Sequence, residues 1–262
     1  NSMSYSALAG GFAWAWAGVE IKPVIKMSLL QDGARFEETD TELIYTLVSS
    51  PNILDEAYTT NAGWTQVGTL VTVDSGSADV CYFNASPHNA EHRVYKTLIN
   101  TLSDISWVLE SDIILSSSSG TDDMPYSLCA GTGIPDTATQ DAIMVYWDTT
   151  IGKLNITYKD GAGGIANGTG TTITVAQSTQ YYIRVSRKSS TIIELSVFSD
   201  SGRTTHITGS PQNFTIPSTV TGLTHLHHSS RNTTSATTTT CTIDNTKVYN
   251  GVSQIPDWWV QQ

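Results

Sequence analysis

From Trp64 onward the chain is a succession of short segments in which apolar and polar residues alternate. Such alternation places successive side chains on opposite faces, as in a half-buried β-strand. Turn-forming residues separate the segments at 74–76, 148–152, 160–164 and 199–202. No long helical period interrupts them. The pattern therefore predicts an all-β fold, a sandwich or a barrel, rather than an α/β fold.

The predicted strands are short and spread over most of the chain. They lie at 43–48, 64–73, 79–84, 93–98, 105–114, 142–147, 153–159, 171–176, 180–187, 191–198, 213–216, 223–228 and 239–249. The two strands of the hairpin 180–198 alternate most regularly, and this predicts burial of Ile183, Val185, Ile193, Leu195 and Val197. A loop at 188–190 would place Arg184 opposite Glu194 and Arg187 opposite Thr191 on the two strands.

The composition limits the partners of this protein. Charged residues are only 14% of the 262, and the net charge of −11 repels nucleic acid phosphates, so we expect no nucleic acid partner. An acidic surface suits divalent cations or neutral glycans, although solubility is a simpler reason for it. The charge thus favours small or neutral ligands over polyanions.

An apolar stretch near the start of the sequence, residues 7–19, is too short to span a membrane as a helix. It lacks the basic leader of a signal peptide, so either a leader has been removed or a cloning scar precedes Met3. Phe12, Trp14 and Trp16 share one face if the stretch is extended. We expect these rings to pack against another β-surface, on a neighbouring subunit or on the chain's own sandwich.

Three parts of the sequence resemble concanavalin A-like or laminin G-like jelly-roll modules of secreted microbial or viral surface proteins. They are Gly63–Gly68, the pair Tyr181–Val185 and Leu195–Asp200, and the terminal Ile243–Gly251. The resemblance implies a two-sheet antiparallel jelly-roll sandwich at 55–252. Residues 1–54 would then be an extended docking or assembly segment and 253–262 a tail. This fold hosts lectins, hydrolases, lyases and structural modules, so it leaves the function open.

The motif closest to a catalytic one is Glu110-Ser111-Asp112, followed by Ile113-Ile114-Leu115. Retaining glycosidases of similar fold carry Glu-x-Asp-x-Glu on one strand face, and their chemistry needs the last carboxyl group as proton donor. Here an apolar residue takes that position. We therefore predict a non-catalytic protein in which Glu110 and Asp112 are solvated side chains.

Histidines, loop carboxylates and aromatic rings are the candidate metal and glycan ligands of this sequence. His225 and His227 share a strand face near His228, but without a cysteine or carboxylate at ligand spacing they favour an ordinary polar face with one inward histidine. Calcium is the more plausible cation, with hard oxygens at Asp122, Asp123 and Asp200 in predicted loops, where turn chemistry explains the same residues. Among the aromatic residues, which include Tyr146 and Trp107, we select Trp147 and Tyr182 as rings that stack on a sugar.

The cysteines and sequons bear on the compartment. Cys81, Cys129 and Cys241 show no metal or redox spacing. Because first and last strands are often neighbours in jelly rolls, a disulfide between Cys81 and Cys241 is one prediction and three free buried thiols the alternative. The five N-glycosylation sequons are Asn84, Asn155, Asn167, Asn213 and Asn232. They agree with an extracellular or surface-displayed protein.

Three function hypotheses follow from these observations. The first is a non-catalytic structural subunit of a filament or virion surface, which assembles with copies of itself through the aromatic segment. The second is a carbohydrate-binding module or adhesin. The third is a polysaccharide-degrading enzyme.

Overall fold

The computed structural model describes residues 52–73, 79–87, 91–118, 123–148, 152–230 and 238–252, together with the backbone of two earlier strands. Phe12, Trp14 and Trp16 lie outside the described residues, as do Asp122 and Asn232. The chain divides into a first unit, Asn1–Pro51, and a second unit, Asn52–Gln262.

The described part of the chain contains eighteen strands. Those of the first unit, which pair with each other antiparallel, are β1 (Arg35–Glu38) and β2 (Leu43–Thr46). Those of the second unit are β3 (Asn52–Glu56), β4 (Thr65–Val67), β5 (Val71–Val73), β6 (Cys81–Pro87), β7 (Arg93–Thr97), β8 (Trp107–Ser118), β9 (Asp123–Cys129), β10 (Ala142–Asp148), β11 (Lys153–Lys159), β12 (Ala166–Asn167), β13 (Ile173–Thr174), β14 (Gln180–Arg187), β15 (Ile192–Phe198), β16 (Gln212–Thr215), β17 (His225–Ser229) and β18 (Thr238–Asn250).

Two eight-stranded antiparallel sheets form the second unit. Sheet I has the order β12-β11-β10-β9-β17-β7-β4, with β13 paired to β11. Sheet II has the order β16-β15-β14-β8-β18-β6-β5, with β3 paired to β18. The described residues contain no helix, and hence none long and apolar enough to cross a membrane. The predicted all-β sandwich is confirmed. The predicted domain start at residue 55 falls inside β3, which begins at Asn52.

The core lies between the two sheets, and both sheets contribute large rings to it. Its largest fully buried apolar side chains include Trp107, Trp147, Tyr126, Phe83 and Phe214. The inward residues of the β14–β15 hairpin, Ile183, Val185, Ile193, Leu195 and Val197, are all buried as predicted. Burial of this apolar surface is the main stabilising contribution to such a fold.

The register of that hairpin differs from the prediction. Arg184 pairs with Ser196, and Glu194 with Ser186, so the strands are shifted by two residues from the predicted pairing. A shift of two keeps every side chain on its face, which is why the burial was correct. Glu194 instead forms an ion pair with Lys188, at 3.0 Å between Nζ and Oε1.

Strand β9 occupies a central place in sheet I and was not predicted. All seven of its residues are buried, although Pro125 has no N–H to donate to a neighbour. The pairing on both sides is irregular at this point: register shifts lie opposite it in β10, between Val145 and Trp147, and in β17, between His227 and Ser229. These irregularities accommodate the proline inside a sheet.

One predicted strand, 64–73, is two strands on different sheets. β4 pairs with β7 in sheet I, and β5 pairs with β6 in sheet II. Gly68 lies between them with φ +73, a left-handed conformation that favours glycine. A Cβ at Gly68 would also lie 2.6 Å from the carbonyl oxygen of Glu91. The crossover between sheets therefore depends on this glycine.

The predicted disulfide is not formed, and all three cysteines are free and buried. β6 and β18 are neighbours, but Cys81 lies opposite Ile243 and Cys241 opposite Phe83. The two thiols are therefore offset along the strands instead of facing each other. Burial raises the pKa of all three thiols above the ordinary value, so they stay protonated.

Candidate functional site

Two rows of polar side chains cross the outer face of sheet II, the face turned away from the core. In the first row Glu110 of β8 lies between Arg184 of β14 and Lys247 of β18. In the second row Asp112 lies between Tyr182 and Asp244 on the same strands. The Arg184 guanidinium donates to Glu110 Oε1 from Nε at 2.8 Å and from Nη2 at 2.8 Å.

A turn after β15 adds a second arginine to these rows. Arg203 Nη2 donates to Asp112 Oδ1 at 2.8 Å, and its Nε lies 3.6 Å from Glu110 Oε1. Its guanidinium also lies 5.8 Å from the centre of the Tyr182 ring. Arg203 thus contacts Glu110, Asp112 and Tyr182 at once, and these contacts restrict its side chain.

Asp200 builds the turn that holds Arg203. Its carboxylate accepts backbone N–H groups from Thr204 at 3.2 Å and from Thr205 at 2.6 Å. Burial alone would raise the pKa of Asp200, but these hydrogen bonds lower it below its ordinary value. Arg203 itself has φ +54, a left-handed conformation that is uncommon outside glycine. The turn therefore fixes the direction in which Arg203 leaves the backbone.

A β-bulge in β18 adds an amide to the site. The pairing of β18 with β8 shifts between Asp244 and Lys247, and Asn245 within this bulge has φ +50. Asn245 Nδ2 donates to Asp112 Oδ2 at 3.0 Å and to Asp244 Oδ2 at 3.1 Å. The bulge thereby aims the Asn245 side chain across the outer face of the sheet.

These groups line an open cleft of about 240 Å³. Its lining residues are Glu110, Asp112, Arg203, Asn245, Lys247 and Tyr249. Burial raises the pKa of Tyr249, and the nearby Glu110 and Asp55 add to the effect, so the phenol stays neutral at physiological pH. The pKa of Asp244 is raised by burial and by Asp112. The cleft therefore presents carboxylate acceptors beside guanidinium, ammonium and amide donors. The phenol of Tyr249 can both donate and accept a hydrogen bond.

The prediction that Glu110 and Asp112 are solvated is wrong. They are only 8% and 9% exposed, because the two arginines and Asn245 cover them. The next outward residue on β8 is the half-buried Ile114, so the position that a third carboxyl group would take is apolar. Strand β8 therefore lacks the third carboxyl group of the Glu-x-Asp-x-Glu pattern.

Of the two predicted glycan-stacking rings, the structure places one beside the cleft. Tyr182 is half-buried on the outer face next to Asp112. Trp147 is 1% exposed and packs in the core, so the prediction for Trp147 is wrong. Trp147 shares the inward face of β10 with Ile143 and Val145, so regular alternation places its ring in the core.

Of the predicted calcium ligands, Asp122 lies outside the described residues, and Asp123 and Asp200 have other hydrogen-bond partners. Asp123 is the first residue of β9, is 1% exposed and accepts a hydrogen bond from Thr239 Oγ1, so it is not a loop ligand. The Asp200 carboxylate serves its own turn. The residues that the structure describes contain no group of three or more His, Cys, Asp or Glu that could hold a metal ion.

The three histidines of β17 divide between the two faces of sheet I. His228 is buried and contacts Tyr58, whereas His227 packs against Tyr95 at 5.1 Å between ring centres. His227 Nε2–H donates to the Gly131 carbonyl oxygen at 3.0 Å. The sequence favoured one inward histidine, whereas His227 and His228 are both buried, on opposite faces of the strand.

The sequons that the structure describes differ in exposure. Asn84, Asn167 and Asn213 are exposed, whereas Asn155 is half-buried. Asn155 Nδ2 donates to Asn167 Oδ1 at 3.3 Å. Glycosylation of these residues stays a prediction.

Sequence reasoning missed four residues of the cleft: Arg203, Asn245, Lys247 and Tyr249. Only one signal could have pointed to them. The run Asp244-Asn245-Thr246 interrupts the alternation of the last strand, and an Asn in such a position is typical of a bulge. Nothing in the local sequence of Arg203 indicates that it meets β8.

No protein-family model matches the chain, and no curated protein sequence matches it. Solved structures do resemble it. They include the receptor-binding domain of botulinum neurotoxin D, with a TM-score of 0.51 at 9% identity over 78% of this chain and 50% of that one. A Trypanosoma rangeli sialidase in complex with sialic acid gives 0.51 at 8% identity over 80% of this chain and 32% of that one.

A Bacillus subtilis protein of unknown function with a galectin-like fold gives a TM-score of 0.50 at 8% identity, over 78% of this chain and 97% of that one. This chain thus spans about half of the toxin domain and about a third of the sialidase. At such low identity the similarity shows the fold alone. The fold that it supports is a two-sheet antiparallel jelly-roll sandwich.

Proposed function

We propose that this protein is a non-catalytic carbohydrate-binding module and that the cleft on sheet II binds a neutral glycan. The observation that carries the proposal is the mixture of donors and acceptors around the cleft, next to the rings of Tyr249 and Tyr182. A sugar hydroxyl both donates and accepts hydrogen bonds, so it matches a carboxylate beside an ammonium or amide group. Binding sites of this kind combine apolar rings with a few well-placed polar groups.

The charges around the cleft favour a neutral ligand. Four carboxylates, those of Glu110, Asp112, Asp244 and Asp55, face three cations, those of Arg184, Arg203 and Lys247. Both arginines are held by carboxylates of the protein. An anionic sugar would have to displace these carboxylates, and it would approach a chain of net charge −11.

The similar structures supply the alternative that must be tested. The sialidase was solved with sialic acid, an anionic sugar, and the toxin domain is described as receptor-binding. An anionic glycan is therefore the competing ligand class for this fold. An extracellular location is part of the same proposal.

A glycan array followed by calorimetry separates the two classes. We expect binding to uncharged hexose oligosaccharides, with an affinity that changes little between 50 and 500 mM NaCl as test conditions, about the range over which exposed charges become screened. Sialylated, uronic acid and sulfated glycans should bind weakly. Preferential binding of these anionic glycans, with steep salt dependence, would contradict the neutral-ligand proposal.

Two tyrosines on the outer face of sheet II provide a matched pair of variants. Tyr249→Ala removes a cleft ring and should weaken binding about tenfold, which corresponds to about 1.4 kcal/mol. Tyr82→Ala removes a half-buried ring on β6 that does not line the cleft, and it should leave the affinity unchanged. Equal affinities in the two variants would place the binding site elsewhere.

The assembly hypothesis rests on Phe12, Trp14 and Trp16, which lie outside the described residues, and so it stays a prediction. Deleting residues 1–20 tests it. A folded monomer that no longer assembles would support a docking role. A destabilised or insoluble monomer would favour packing of the segment on its own sandwich.

A further inference from the structure

A row of buried hydroxyl groups lies directly beneath the cleft. Tyr58 Oη donates to Thr246 Oγ1 at 2.6 Å, and Thr246 Oγ1 lies 2.7 Å from Ser111 Oγ. Ser111 Oγ in turn donates to the carbonyl oxygen of Asp244 at 2.8 Å. Tyr58, Thr246 and Ser111 are all 0% exposed.

These hydroxyls lie in the two strands that carry the cleft. Thr246 is inside the β18 bulge, between Asn245 and Lys247. Ser111 separates Glu110 from Asp112 on β8. The contact between the two hydroxyls therefore joins the strands on their inner face, opposite the point where Asn245 bonds to Asp112 on the outer face.

The first hydroxyl of the row comes from a residue that is itself unusually constrained. Tyr58 is fully buried and has φ +54, a conformation that non-glycine residues rarely adopt. Its phenol also lies 2.7 Å from His228 Nε2 on sheet I. Burial raises its pKa far above the ordinary value, so the hydroxyl keeps its proton.

A bulge is a local departure from the regular ladder, and its conformation needs support from side chains. Thr246 is the bulge residue whose side chain points into the core, and its hydroxyl has partners on either side. A buried hydroxyl that lost both partners would be costly, so the bulge stays in the one conformation that satisfies them.

We propose that Thr246 is a positioning residue for the cleft, supported by Tyr58 and Ser111. Its hydroxyl holds the β18 bulge in the conformation that turns Asn245 and Lys247 toward Glu110 and Asp112. This inference rests on the proposed glycan binding at the cleft, whereas the positioning itself can be measured without a ligand.

The test compares Thr246→Val, which keeps the shape and removes the hydroxyl, with Thr246→Ser, which keeps the hydroxyl. We expect Thr246→Val to weaken binding of the neutral oligosaccharide identified for the wild type about tenfold, the change expected for one lost buried hydrogen bond. Thr246→Ser should restore the affinity. Thr242→Val, at a half-buried position earlier in β18, is the control that should bind like the wild type.

The second readout is the NMR signal of the Asn245 side-chain amide in the free protein. It should shift in Thr246→Val, because the hydrogen bond to Asp112 loosens, and it should return in Thr246→Ser. If Thr246→Val does not fold, Tyr58→Phe removes the neighbouring hydroxyl instead. Its oligosaccharide affinity and its Asn245 amide signal are then measured in the same way.

Wild-type affinity and an unchanged Asn245 signal in Thr246→Val would overturn the proposal. Equal loss in the Val and Ser variants would overturn it too, because the hydroxyl group would then not be enough to position the bulge. If the wild type binds no glycan while the Asn245 signal still follows the hydroxyl, the proposed function fails and the positioning stands.

Discussion

Acid should destabilise the fold through two adjacent histidines of β17. His227 and His228 are both 0% exposed, and burial lowers their pKa from 6.5 to about 3 and about 4. Hydrogen bonds to the carbonyl oxygens of Gly131 and Pro125 favour the protonated form of the two rings. They do not offset the effect of burial, which lowers the pKa more than these bonds raise it. Arg93, 3.3 Å from His227 Nδ1, further disfavours a second positive charge there.

The sign of the effect follows from proton linkage. Below pH 6.5 the unfolded chain binds protons at these two histidines and the folded chain does not, so the free energy of unfolding falls as the pH falls. Between pH 7.5 and pH 5.0 each histidine contributes a loss of about 2 kcal/mol, about 4 kcal/mol for the pair. That is a large fraction of the roughly 5–15 kcal/mol by which domains are stable.

Urea unfolding followed by tryptophan fluorescence measures this loss at the two pH values, which lie above the ordinary pKa of carboxyl groups. With a denaturant slope of about 2 kcal/mol per molar, the midpoint should fall by about 2 M. His227→Gln keeps a donor for Gly131 but cannot titrate, so it should halve the pH dependence. His206→Gln, at an exposed position, is the control. A midpoint that does not move between the two pH values would refute the reasoning.

Three further predictions concern packing and thiols. Trp147→Ala should lower the free energy of unfolding by about 3–5 kcal/mol in chemical denaturation, since it empties a core site, and the folded fraction should keep its glycan affinity. Gly170→Ala should cost about 1–3 kcal/mol in the same assay, because its Cβ would lie 2.5 Å from the Phe214 ring, whereas Gly164→Ala has nothing within 4 Å and should be neutral. The three thiols should be unreactive to a thiol reagent in the native protein and all react in guanidinium; two unreactive thiols after denaturation would contradict the free state.

The sequence was sufficient to predict which face of a strand is buried. It was insufficient to predict which residues of neighbouring strands pair with each other. In the β14–β15 hairpin the alternation of side chains correctly identified five apolar residues that face the core, because each strand needs one apolar face. It could not distinguish the observed register from one shifted by two residues, since both bury the same side chains. Arg184 therefore meets Glu110 of β8 instead of Glu194.

Strand β9 shows a second limit. A fully buried strand does not alternate, and Pro125 argues against a central strand when the sequence is considered alone. Only the irregular pairing in both neighbouring strands makes room for this proline. Trp147 was misplaced although it shares a strand face with the buried Ile143 and Val145, so here the alternation itself indicated the core.

The sequence by itself determined the all-β class, most strand positions and the apolar faces, because these depend on the local alternation of side chains. Only the tertiary structure decided the cleft. Its carboxylates come from β8, its arginines from β14 and from the turn after β15, and its amide from a bulge in β18. Side chains so far apart in sequence meet only through strand order and register, and local patterns carry no information about either.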